Sequence, residues 1–186
     1  MTLQTVTLLA WAMANGATAN PSEPNAASPA GQAHRGAMVG VVLGGAGVFG
    51  AATRGTGGGV TARAMVGYDL AYGVTPILGL EGTRFGASAG STWEIAALPG
   101  VRWYGGLAGR LRSWVELSAG IGQFVYENNS SGGRVDVGLH LRAAGGLDLA
   151  VAPLASVGLH VALNDQRAIG GDDRWIDAGC DVTFPF

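Results

Sequence analysis

Residues 45–50 have the spacing G-x-G-x-x-G that allows a backbone to approach the pyrophosphate of a dinucleotide. The stretch follows the apolar residues 38–43, and Asp69 lies close to the position expected of a ribose-binding acid. This motif requires a helix after its third glycine, and the glycine-rich residues 51–59 disfavour one. No alternation of strands and helices follows either. We therefore interpret the stretch as part of a loop and predict no cofactor.

Two histidines and a serine are the residues best suited to nucleophilic catalysis. His140 and His160 fall in neighbouring predicted strands, and Ser156 lies close to His160 in sequence. If these strands pair around a turn near Pro153, His160 lies opposite Arg142 and Ser156 is about two pairs away, too far for a serine and histidine couple. We predict hydrogen-bonding roles for both histidines and no catalytic residue. An enzyme that modifies lipids remains a less favoured alternative.

An acidic segment near the end of the chain could supply hard oxygen ligands to calcium. It contains Asn164, Asp165, Asp172 and Asp173, whose spacing matches no calcium-binding loop. Cys180 is the only cysteine, which excludes an intramolecular disulfide and a metal site built from several cysteines. We predict a solvated loop at this segment and no metal site.

The composition disfavours helical folds and nucleic-acid binding. The chain has 33 glycines and only 13% charged residues, whereas 48% of its residues are hydrophobic. Glycine weakens the interior of a helix by about 1 kcal/mol relative to alanine. The formal net charge of −2 leaves no basic excess for a nucleic-acid partner.

The N-terminal region predicts an export signal. Residues 1–19 contain an apolar segment at 6–13 and an A-x-A sequence at 17–19, although no Lys or Arg precedes the apolar segment. Residues 20–34 hold several prolines among small polar residues, which is typical of a flexible lead-in. We assign residues 35–186 to a single domain.

From residue 37 onward, apolar residues alternate with polar or glycine residues in eight segments, which predicts eight β-strands. In the second segment, for example, Val60 and Val66 share one face and Arg63 lies on the other. Charged residues and histidines lie on the face opposite the apolar one. We predict a polar network there, which includes Arg63, Asp69, Glu81, Glu94, Arg102, Arg112, Glu116, Asp136, His140, Arg142, His160 and Asp177.

The connections between these strands alternate in predicted length. Short turns are expected near Gly73, at 105–109 and at 150–153. Longer, glycine-rich or polar connections are expected at 44–59, 86–91, 125–133 and 164–173. Long loops at one end and short turns at the other are typical of transmembrane β-barrels.

Alternation alone does not decide which face of a closed sheet meets water. The apolar face here carries short aliphatic residues with aromatic residues near its ends, namely Tyr68, Trp93 and Trp103. Eight strands enclose a small lumen that side chains can fill. We therefore favour a lipid-facing apolar wall around a largely filled polar lumen. A narrow pore that prefers cations, and a soluble lipid-binding barrel with the faces exchanged, remain alternatives.

The last strand resembles the C-terminal sorting signal of bacterial outer-membrane β-barrels. Val182, Phe184 and Phe186 occupy alternate positions and the chain stops at an aromatic residue, whereas Pro185 departs from the pattern because it donates no ladder hydrogen bond. Residues 35–186 as a whole resemble the small eight-stranded barrels of the OmpA-like and OmpX-like families in pattern.

The resemblance implies an all-β, eight-stranded, antiparallel up-and-down barrel that resides in the bacterial outer membrane. Such barrels usually lack enzymatic activity and act in surface interaction, envelope integrity or weak conductance. The implied partners are outer-membrane lipid and the barrel-assembly machinery, which would bind the C-terminal strand.

Overall fold

The computed structural model describes residues 36–49, 56–70, 73–87, 90–108, 110–128, 134–168 and 171–186. Its eight strands are β1 (Ala37–Val48), β2 (Thr56–Tyr68), β3 (Val74–Ala87), β4 (Gly90–Ala108), β5 (Leu111–Asn128), β6 (Arg134–Ala152), β7 (Ala155–Ala168) and β8 (Gly171–Pro185). Each strand is antiparallel to the next, and β8 pairs with β1 to close an up-and-down barrel. The predicted fold class is thereby confirmed. The predicted export signal and lead-in lie outside the described residues.

The alternation of residue types divides the barrel into an apolar outer wall and a polar interior. Leu43, Ile95 and Ile121 point outward and are 62%, 63% and 67% exposed, whereas Glu94 and Arg102 on the inner face are fully buried. Successive side chains of a strand point to opposite faces, so a strict period of two sorts them in this way. Closure pairs the backbone groups of each strand with its two neighbours, as a bilayer requires. Among the described residues, no helix is long and apolar enough to cross a membrane.

Several strands are longer than the hydropathy pattern indicates. β3 ends at Ala87 and β4 begins at Gly90, so the long connection predicted at 86–91 is wrong. The strands extend because glycine and polar residues continue the ladder beyond the apolar part of the wall. Of the other predicted long connections, residues 50–55 and 129–133 lie outside the described residues.

The acidic residues of the segment at 164–173 lie in strands rather than in a loop. β7 continues to Ala168 and β8 starts at Gly171, so the predicted solvated loop is wrong. Asn164 and Asp173 point inward and are buried, whereas Asp165 and Asp172 point outward. Their alternation marks them as strand positions.

The C-terminal strand closes the barrel. Phe184 pairs with Val39 and Val182 pairs with Val41, and the backbone N–H of Phe186 donates to the carbonyl oxygen of Ala37 at 2.8 Å. Val182, Phe184 and Phe186 all point outward and are exposed. Their proposed role in sorting remains a prediction.

The turn between β6 and β7 sets the register of the two lumen histidines. β6 continues to Ala152, so His160 lies opposite Gly146 and Arg142 lies opposite Asn164. The predicted pairing of His160 with Arg142 is therefore wrong. The cause is a turn centred two residues further along the chain than the pattern indicates.

Candidate functional site

Glu116 lies at the centre of a buried ion-pair cluster in the lumen. Its carboxylate accepts hydrogen bonds from Arg63 at 2.6 Å and from Arg102 at 2.9 Å, and Ser118 Oγ donates to it at 2.8 Å. The guanidinium of Arg142 lies 3.9 Å away. The side chains of these ion partners are at most 2% exposed. Three arginines from β2, β4 and β6 thus share one carboxylate from β5, which links opposite parts of the wall.

Arg142 connects this cluster to a second group of acids. Its Nη1 lies 2.7 Å from Asp177 Oδ2 and 3.1 Å from Glu81 Oε2. The same nitrogen donates to Asn164 Oδ1 at 3.2 Å. Charge-assisted hydrogen bonds of this kind are stronger than neutral ones, and in a buried site they fix the side-chain positions.

The histidines belong to one hydrogen-bonded chain. Asn164 Nδ2 donates to Asp177 at 2.6 Å, which directs Asn164 Oδ1 towards His140 Nε2 at 3.2 Å. His140 Nε2 therefore acts as the donor, and His140 Nδ1 lies 2.9 Å from Glu94. His160 Nε2 lies 3.0 Å from the other oxygen of Asp177.

This chain does not form a catalytic serine and histidine couple. The Oγ of Ser156 accepts a hydrogen bond from Arg112 at 3.2 Å. Both nitrogens of His140 bond to Glu94 and Asn164, and His160 Nδ1 has no hydrogen-bond partner among the described residues. A serine nucleophile needs hydrogen-bond contact with its base. The described residues also contain no group of three or more His, Cys, Asp or Glu that could hold a metal ion.

Inward glycines leave room for the large side chains that fill the lumen. A Cβ on Gly79 would collide with the guanidinium of Arg63, and one on Gly146 would lie 2.7 Å from the ring of Trp114. Each glycine therefore lies beneath a long side chain from a neighbouring strand. At these two positions glycine is a packing requirement of the filled lumen.

An aromatic cluster occupies the lumen at the end opposite the termini. Trp175 packs edge-on against Phe85 and Phe124, with ring centroids 5.8 Å and 5.7 Å away. The three rings are at most 3% exposed, and Ala46 completes the buried cluster. Beside them, Tyr126 donates to Asp173 at 2.8 Å. This aromatic cluster lies between the polar network and the end of the lumen opposite the chain termini.

The other end of the lumen combines apolar side chains with arginines stacked on aromatic rings. Met38, Val42 and Met65 form a buried apolar cluster. The guanidinium of Arg102 lies 3.8 Å from the ring centroid of Trp114, a typical cation–π distance. Arg112 lies 5.0 Å from the centroid of Tyr104 in the same arrangement.

The predicted network residues do not all reach the centre of the lumen. Arg112 is half-buried, Asp69 accepts a hydrogen bond from the Thr75 hydroxyl, and Asp136 pairs with the exposed Arg134 at 2.9 Å. The buried members are Arg63, Glu81, Glu94, Arg102, Glu116, His140, Arg142, His160 and Asp177.

Sequence reasoning missed several residues that complete the site. Asn164 and Gln166 were assigned to a loop, and Phe85, Phe124 and Trp175 were not recognised as a cluster. The signal was present, because Phe85 has the same parity as Glu81, and Trp175 the same parity as Asp177. If the alternation of inward and outward positions had been continued to the ends of the strands, these residues would have been placed inside the lumen.

A closed eight-stranded barrel with an exposed apolar wall and a buried polar lumen is the architecture of a small transmembrane β-barrel. No protein-family model matches the sequence, and no curated protein matches it significantly.

Solved structures do match the fold. Neisserial surface protein A has a TM-score of 0.64 at 13% identity, with 81% of this chain and 97% of that chain covered. Ail, the attachment invasion locus protein of Yersinia pestis, has a TM-score of 0.56 at 12% identity, with coverage of 81% and 99%. The outer membrane protein OprG from Pseudomonas aeruginosa has a TM-score of 0.55 at 15% identity, with coverage of 83% and 99%. The protein has the fold of the small bacterial outer-membrane β-barrels.

Proposed function

We propose that this protein is an integral outer-membrane barrel with a structural or surface-interaction role and a lumen that does not conduct ions. The apolar outer wall would contact the acyl chains of the membrane, with Trp93 and Trp103 near its two borders. Outer-membrane lipid would therefore be one partner of the barrel. The barrel-assembly machinery would be another, and it would bind the exposed apolar positions of β8.

The observation that carries the proposal is the buried network across the lumen. Arg63, Arg102 and Arg142 span the interior from three strands and converge on Glu116. An ion that entered would have to break these pairs, and separating a buried pair costs about 3–5 kcal/mol. The aromatic cluster around Trp175 adds an apolar obstacle at one end.

The contacts of the histidines favour a non-enzymatic role. His140 and His160 are held by acids and an amide inside the network, and Ser156 is bonded to Arg112. These residues stabilise the wall rather than meet a substrate. Surface interaction is supported by the fold, because two solved barrels with this fold are named as a surface protein and an attachment invasion locus protein.

Planar-bilayer recording of the purified, refolded barrel tests the proposal. We expect the current to stay at the baseline of the bare bilayer, while a porin of known conductance in the same membrane gives clear steps. The same preparation must show the folded form in electrophoresis, so that a silent recording reflects an inserted barrel. Reproducible steps that select cations would contradict the proposal and would favour the narrow pore.

A further inference from the structure

We infer that Asp148 and Asp181 form a carboxyl pair that shares a single proton in the folded barrel. The pair lies apart from the Glu116 cluster, towards the end of the lumen that carries the chain termini. Asp148 is on β6 and Asp181 on β8, and both lie directly opposite Gly158 of the intervening strand β7.

The missing side chain of Gly158 brings the two carboxyl groups together. A Cβ at Gly158 would lie 2.6 Å from Asp181 Oδ1 and closer still to Asp148 Oδ1, so both oxygens converge on one point above the glycine. Two oxygens that both lie against the same point are close neighbours, and no side chain of β7 stands between them. Asp148 is fully buried and Asp181 is 2% exposed. Bulk water therefore does not reach either carboxyl group.

The neighbouring donors leave this pair largely uncompensated. Trp114 Nε1 donates to Asp148 Oδ1 at 2.7 Å. Asp148 Oδ2 and both oxygens of Asp181 have no hydrogen-bond donor among the residues that the structure describes. A carboxylate can accept several hydrogen bonds, so these orphaned oxygens are costly unless a proton joins them.

The arginines that face the pair are committed to other partners. Arg102 on β4 donates to Glu116 through Nε and Nη2. Arg112 on β5 lies directly opposite Asp148 in the register, but it donates to Ser156 and packs over Tyr104. Neither arginine forms an ion pair with Asp148 or Asp181 in the described part of the chain.

On the remaining strands that face the pair, the described residues supply no free cation. His160 on β7 bonds to Asp177 through Nε2. On β1, Val42 lies opposite Asp181, and Met38 and Met65 complete an apolar patch with it. Two buried carboxylates that converge on one point repel each other strongly, which disfavours the state in which both are ionised. One proton resolves the repulsion, because the protonated acid donates an O–H···O hydrogen bond to its ionised partner.

Urea unfolding of the refolded barrel in detergent, compared between the wild type and Asp181→Asn, tests this inference. Asparagine donates a hydrogen bond like a protonated acid but has no proton to release. The folded pair holds a proton that separate aspartates release above about pH 5, so the stability of the wild type falls as the pH rises. The unfolding constant of the wild type, divided by that of the variant, should therefore rise about tenfold per pH unit until the folded pair ionises.

Infrared spectroscopy supplies an independent readout of the same proton. The wild type at neutral pH should show a protonated carboxyl C=O band that weakens in both Asp181→Asn and Asp148→Asn. Asp136→Asn is the matched control, since Asp136 lies at the rim and pairs with Arg134. It should change neither the pH dependence of unfolding nor the carboxyl band. The shared proton would be contradicted if the ratio of unfolding constants did not depend on pH. An unchanged carboxyl band in the two variants, or failure of Asp181→Asn to fold, would also contradict it.

Discussion

Replacement of Glu116 by glutamine is expected to destabilise the folded barrel by about 3–5 kcal/mol. The change removes the carboxylate that holds Arg63 at 2.6 Å and Arg102 at 2.9 Å and leaves both guanidinium groups buried. An unpaired buried charge costs far more than the pair itself contributes, so the loss exceeds that of an ordinary hydrogen bond. Reversible urea unfolding in detergent, followed by tryptophan fluorescence, measures this loss in the free energy of unfolding.

The matched control for this substitution is Asp136→Asn. Asp136 also pairs with an arginine at 2.9 Å, but Arg134 has a side chain that is 59% exposed. Ion pairs in contact with water contribute about 1 kcal/mol or less. If the two variants lose the same stability, the Glu116 cluster is not the buried network that holds the lumen closed.

Trp175→Ala is expected to destabilise the barrel by about 3–5 kcal/mol through loss of a fully buried indole ring. Trp175 is 1% exposed and packs edge-on against Phe85 and Phe124, with His140 centred 5.0 Å from its ring. Alanine would leave a cavity that these neighbours cannot fill, because each is fixed on its own strand. The same urea unfolding experiment provides the measurement.

Trp103→Ala provides the comparison for the aromatic cluster. Trp103 points outward and is 39% exposed, so its removal costs lipid contact rather than packing inside the lumen. We expect a smaller loss of stability than for Trp175→Ala. A larger loss would mean that the outer wall, and not the aromatic cluster, dominates the stability at these positions.

The strand count and the faces of the barrel were predictable because period two is a local property. Val39 and Val41 indicate the outer face without knowledge of any partner strand, and Arg63 indicates the inner face. Closure was predictable from the apolar outer face, because a sheet that faces lipid must pair all of its backbone groups. These features rest on residue types and not on register.

Strand ends and register required the structure. The hydropathy pattern marks only the apolar part of the wall, so the polar strand positions around Asn164 and Asp173 were assigned to a loop. The partners within the lumen depend on which strands lie across the barrel from each other. The convergence of Asp148 and Asp181 on Gly158, for example, follows from two separate strand registers and has no local signature.

The measurement that tests the central claim most directly is the electrophoretic mobility of the outer-membrane fraction in detergent, unheated and boiled. A closed barrel whose backbone groups are paired around the full ring resists detergent until it is heated. We predict that the unheated protein migrates as a distinct compact band and that boiling converts it to the band of the unfolded chain. Identical mobility in both samples, with the protein recovered in the soluble fraction, would contradict a lipid-facing outer wall.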